Sequence, residues 1–179
     1  MISALSFRPA DVIESSKIAA LANTAYRGET SRQGWTTEAD LLDGLRTTAQ
    51  EVQQLIESDA SVILLCKMDG EIVGSVCVEK SVDAVHVGMF VVNPALQGAG
   101  IGKQLLTYAE SYAKQRWNAD RFLMHVITLR HELIAFYERR GYRRTGIFKT
   151  FPVNPGMWQP KLSGLQLEVL QKLIYLPPA

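Results

Sequence analysis

The sequence predicts an α/β fold: a central mixed β-sheet of about seven strands flanked by about four helices. Three observations carry this. Some stretches place apolar residues at every second position and others at a spacing near 3.6. The two kinds of stretch alternate along the chain. One pair of strand-like runs meets at a two-residue hairpin turn, so the sheet is partly hairpin-built and partly joined through helices. With no repeat, low-complexity segment or composition break among the 179 residues, residues 1–179 read as one domain.

The first strand is "ISALSF", closed by Arg8-Pro9. Asp11 starts a helix, with Glu14 three residues on as a capping box. Ile18, Leu21, Ala22 and Ala25 give that helix its apolar stripe. Residues 27–44 are polar and glycine-punctuated, which predicts loop with a short helix at "EADLLDGL". Thr48 and Glu51 form a second capping box, ahead of Val52, Leu55 and Ile56. Next, two β-branched runs flank Asp69-Gly70, a strong hairpin signal. Residues 84–92, "AVHVGMFVV", are almost wholly apolar and read as a central strand. A helix from about 102 to 117 turns Leu105, Leu106, Ala109, Tyr112 and Ala113 inward. "RFLMHVIT" is a strand, and "HELIAFYERRG" a helix stopped by Gly141. "YRRTGIFKTF" and "LQLEVLQKL" are the last two strands, separated by the Pro/Gly-rich loop "PVNPGMWQPKLSG".

Composition excludes several classes. Hydrophobic residues make up 47% and charged residues 21%, enough for a packed core and unlike a disordered chain. A net charge of +1 lacks the basic footprint of a nucleic-acid binder. No secretory pattern opens the sequence, and no run approaches the roughly 20 apolar residues of a membrane span. Cys66 and Cys77 lie in apolar runs without metal-ligand spacing, which predicts buried reduced thiols and no metal. A cytoplasmic protein, monomeric or homodimeric, is the expectation.

The chemistry-bearing stretch is "NPALQGAGIGKQLL", where Gly98, Gly100 and Gly102 stand at the start of a helix. Glycine is a poor helix former, so its use there needs a reason. The first N–H groups of a helix lack partners, and the dipole leaves partial positive charge there. Removing side chains lets an anion reach those N–H groups, and Lys103 adds a formal charge. Two nucleotide motifs fail on spacing. A P-loop has four residues between its glycine and Gly-Lys, whereas Gly98 and Gly102 enclose three, and Gln104 replaces the hydroxyl. The dinucleotide fingerprint needs G-x-G-x-x-G, whereas this is G-x-G-x-G, and Asp120 lies at the wrong end of the following strand.

Gln97-Gly98-Ala99-Gly100-Ile101-Gly102 resembles the Q/R-x-x-G-x-G/A signature of the GNAT acetyltransferase superfamily, which holds the pyrophosphate of coenzyme A. "GMFVVNP" before it is similar to the family's splayed fourth strand, and "AFYERRGY" after it to the late helix motif F-Y-E-x-x-G-F/Y. The similarity is close over roughly residues 61 to 150. It implies acetyl-CoA as co-substrate, an oxyanion-binding strand N–H near Phe90, Val91 and Val92, and Tyr137 as general acid. A phenol of pKa ~10 is protonated at neutral pH and suited to a departing thiolate of pKa ~8.5. The sequence departs from the family at two places. The fourth strand has no carboxylate, which leaves the base among His86, Glu29, Glu38 and a water chain. Arg130 occupies the position of a cofactor-contacting asparagine, where it either reaches a phosphate or faces solvent.

The implied activity is direct acetyl transfer to a primary amine of a small molecule or peptide. A non-catalytic acyl-CoA sensor, or an acyltransferase with a hydroxyl acceptor or longer donor, stands as the alternative. Tyr26, Glu29 and Trp35 in the early loop and Trp158 in the late loop are the expected acceptor walls; aromatics beside carboxylates would suit a cationic amine. Fold alone does not fix the substrate.

Overall fold

A computed structural model of the chain describes residues 4–174. Strand β1 (Leu5–Pro9) leads through a 3-10 turn into helix α1 (Ser15–Tyr26), the short strand β2 (Leu42–Gly44) and helix α2 (Ala49–Glu57). Strands β3 (Ser61–Met68), β4 (Glu71–Lys80) and β5 (Val85–Val92) precede the long helix α3 (Ile101–Trp117). Then come β6 (Arg121–Ile127), α4 (His131–Glu138), β7 (Arg143–Thr150), β8 (Trp158–Pro160) and β9 (Gln166–Leu173).

Seven strands form the main sheet in the order β1-β3-β4-β5-β6-β9-β7, and four α-helices flank it. Both predicted capping boxes form. Asp11 accepts from the Ile13 N–H while Glu14 accepts from the Asp11 N–H, and Thr48 and Glu51 do the same for α2. The β3–β4 hairpin closes at Met68 opposite Glu71, with Asp69-Gly70 as its turn. On one face α3 and α4 bury Leu105, Leu106, Ala109 and Phe136 against Val76, Val87 and Phe122. On the other, Ile18, Ala22 and Val52 of α1 and α2 pack on Ile63, Leu65 and Val91. Among the described residues no helix is long and apolar enough to cross a membrane.

Two expectations are corrected. Residues 38–45 do not form a helix: a turn from Glu38 leads straight into β2, which pairs with β8 as a separate ribbon. Leu42 is buried against Ile127 and Leu165, so long-range burial and pairing outweigh the local pattern. Arg8-Pro9 continues β1 instead of ending it. β1 is an edge strand, where a proline without an N–H is tolerated. The first two residues of "ISALSF" lie outside the described residues.

What positions the site is the parting of β5 from β6. They run parallel but pair only at Val85–Phe122 and His86–Leu123, then diverge. Beyond His86 the middle of the sheet is open.

Candidate active site

At the glycine turn, Gly98 has φ +86° and Gly100 φ +80°, in the left-handed region, and a Cβ on either would meet nothing within 4 Å. Gly102 lies inside α3, where a Cβ would stand 3.5 Å from the rings of Phe90 and Phe136. Two glycines therefore bend the chain and open the approach, and the third lets the helix seat on aromatic rings. Gly100 caps α3 without a side-chain hydrogen bond, so the first N–H groups of a 17-residue helix face outward bare. A cavity of about 290 Å³ adjoins them, lined by Gln97, Gly98, Gly100, Ile101, Gly102, Lys103, Phe90 and Val92. Ala99 is exposed outside this lining.

Two cations here escaped the sequence reading. Arg139 and Arg140 line the cavity with Lys103, and none of the three has an acidic partner among the described residues. The Arg140 guanidinium lies 3.5 Å from the Phe136 ring centroid, donates to the Phe136 carbonyl, and keeps a buried Nε without a partner. Burial and the neighbouring Arg139 lower its pKa. The doubled arginine before Gly141 was the available signal.

Gln97 ties the turn to the early loop. Its Nε2 donates to Thr36 Oγ1 (2.8 Å) and to the Val92 carbonyl (3.1 Å), and its Oε1 accepts from the Trp35 N–H (2.9 Å). Trp35 consequently lines the glycine-turn cavity, its ring 5.7 Å from that of Phe136.

Along β5 a bulge at Met89 (φ +45°) breaks the pairing with β4. Asn93 N–H donates to the Val73 carbonyl, so alternation turns the N–H and carbonyl of Val92 toward the gap. The carbonyls there are already engaged: Val92's accepts from Gln97, and Phe90's from the Tyr26 hydroxyl. The Val92 N–H remains facing the gap as a preset donor. Val91 points away, into the core under α1.

A second cavity, about 360 Å³, opens on the far side and shares Tyr26, Phe90, Arg130 and Leu133 with the first. Tyr137, His86, Tyr26 and Trp158 all line it. Tyr137 is buried, its hydroxyl makes no hydrogen bond among the described residues, and burial raises its pKa well above that of a free phenol. Its neighbour Phe136 faces the glycine turn. His86 sits where the strands part and stacks on His125, centroids 5.5 Å apart. Burial, Lys149 and His86 lower the pKa of His125.

The carboxylates behave differently from expectation. Glu29 is exposed, pairs with Arg32 and lies outside both cavities. Glu38 lines the second cavity but is buried between Arg27 and Arg130. Arg130 donates to Glu38 Oε1 (2.9 Å) and to the Thr36 carbonyl, with its guanidinium 5.6 Å from the Tyr26 ring centroid. It neither faces solvent nor is free; it fastens the early loop to the head of α4. Burial raises the thiols of Cys66 to about 11 and Cys77 to about 12, which disfavours the nucleophilic thiolate. No metal-binding cluster occurs among the described residues.

Solved structures share this architecture at low identity. The ribosomal-protein-S18-alanine N-acetyltransferase from Escherichia coli superposes with a TM-score of 0.72 at 10% identity, over 98% of this chain and 97% of that one. A GNAT-family acetyltransferase from Streptococcus pneumoniae gives 0.69 at 19%, over 96% and 100%. An N-acetyltransferase from Staphylococcus aureus Mu50 gives 0.72 at 12%, over 96% and 98%. Among curated proteins no sequence matches significantly. The family model described as Acetyltransferase (GNAT) family matches residues 24–142, a span holding the parted strands, the glycine turn and Tyr137. This chain belongs to the GNAT acetyltransferase family.

Proposed function

We propose that the protein transfers an acetyl group from acetyl-CoA directly to a primary amine of a small molecule or peptide. The observation that carries the proposal is the pair of cavities meeting through the open middle of the sheet at Tyr26, Phe90, Arg130 and Leu133. One cavity has the features a pyrophosphate needs: bare helix N–H groups, open space above Gly98 and Gly100, and unpaired Lys103, Arg139 and Arg140. The other admits the amine. The thioester carbonyl then lies in the gap, where the Val92 N–H stabilises the developing oxyanion.

The amine nitrogen bonds to the carbonyl carbon, the C–S bond breaks, and the sulfur takes a proton from the Tyr137 hydroxyl. The proton lost from the amine goes to His86, directly or through water. Glu38 is tied to two guanidiniums and Glu29 lies outside, so among the candidate side chains the imidazole at the parting of the strands is the best placed. An amine panel assayed for coenzyme A release tests the reading. Binding of acetyl-CoA without release above the amine-free rate would show an acyl-CoA-binding module instead.

A further inference from the structure

The geometry points to an acceptor that carries a carboxylate beside its amine: an amino acid or an amino-acid-like zwitterion, held through that carboxylate by Arg46. This rests on the acetyltransfer reading above.

Three guanidiniums, from Arg27, Arg46 and Arg130, line the acceptor cavity with two carboxylates, from Glu38 and Glu79. His86 and His125 are the imidazoles there. Glu38 is shared by Arg27 and Arg130. Arg46 makes no ion pair and no hydrogen bond through its guanidinium among the described residues, although Glu79 lines the same cavity. Its guanidinium carbon lies 5.9 Å from the centroid of the Tyr26 ring. Arg27, with a side chain only 6% exposed, also keeps a buried Nε without a partner. A cavity with one cation in excess and unfilled donors suits a monoanion and repels a polycation. A carboxylate fits the planar guanidinium fork through two parallel hydrogen bonds. Of the carboxylates that would draw a cationic amine, Glu38 is shared by two guanidiniums, Glu29 is remote, and Glu79, without an ion pair among the described residues, stands in a cavity that still carries one cation in excess.

Tyr26 connects Arg46 with the gap between the strands. Its hydroxyl rests on the Phe90 carbonyl in the gap, and Arg46 lies beside its ring.

The test compares proteinogenic L-amino acids with the matching amino acid amides and decarboxylated amines, and with spermidine. The acids are expected to lead in kcat/KM by about tenfold or more, chiefly through KM. Arg46→Met should reduce the acid-to-amide ratio at least tenfold, and Arg46→Lys should keep part of it. Amides, simple amines or spermidine acetylated better than the acids would overturn the inference, as would a preference that survives Arg46→Met. If no amine turns over, the acetyltransfer reading fails by itself. The anion site is then tested by thermal shift of the coenzyme A complex with N-acetyl amino acids against N-acetyl amino acid amides. A shift for the acids alone, lost in Arg46→Met, supports the site, and any other pattern overturns it.

Discussion

Gly100→Asp places a carboxylate among the bare N–H groups that open α3. Gly100 has φ +80° with nothing within 4 Å of a Cβ, so the side chain fits and the change acts through charge and backbone strain. At a hundred times its dissociation constant, coenzyme A stabilises the wild type by about 2.7 kcal/mol. For a domain of this size that corresponds to a rise in Tm of roughly 5–11 °C. A carboxylate ~4 Å from a phosphate charge, at an effective dielectric near 20, opposes binding by about 4 kcal/mol. Affinity then falls about a thousandfold, and at the same ligand concentration the stabilisation drops to about 0.1 kcal/mol or less, a shift too small to see. Gly100→Asn is the control: it is isosteric, tolerates the left-handed conformation, and carries no charge. Thermal melts with and without coenzyme A should show a shift in wild type, most of it in Gly100→Asn, and none in Gly100→Asp. Equal shifts in the Asp and Asn variants would refute anion binding at this turn.

Tyr137→Phe keeps the ring packed against Phe90 and Tyr142 but removes the proton donor, so turnover should fall ~10²–10⁴-fold with little change in Tm or cofactor affinity. Because burial raises the phenol's pKa, the acid form persists to higher pH, and any alkaline limb of the wild-type kcat profile owed to Tyr137 should lie above pH ~10. Glu38→Gln leaves two buried guanidiniums without their counter-charge and should destabilise by about 3–5 kcal/mol, a Tm loss of roughly 6–20 °C. Arg130→Met, which leaves Glu38 still paired with Arg27, should lower Tm less; the reverse order would show that Glu38 is not the hub.

What could be read from sequence divides by the range of the interaction. The Asp69-Gly70 hairpin and the caps at Asp11 and Thr48 depend on residues within a few positions of one another, and all formed. The glycine turn was legible for the same reason: its chemistry is backbone N–H and missing side chains within one short stretch. Residues 38–45 misled because Leu42 is buried through contacts with residues far along the chain. The Glu38–Arg130 pair spans 92 positions, and no local pattern announces it. Without that pair, Glu38 read as one candidate base among several, and Arg130 as either reaching a phosphate or facing solvent. The bulge at Met89 hides inside an otherwise regular apolar strand, where nothing in the residue types marks a positive φ.

Mass spectrometry of a reaction holding only the protein, acetyl-CoA and an amine acceptor identified by the panel tests direct acetyl transfer most squarely. The predicted result is N-acetylated amine formed in step with coenzyme A, while protein incubated with acetyl-CoA alone keeps its mass; burial, which raises the pKa of the Cys66 and Cys77 thiols, disfavours an acetyl-cysteine. Coenzyme A release without acetylated amine, or a protein that gains an acetyl group and then passes it to the amine, would contradict it.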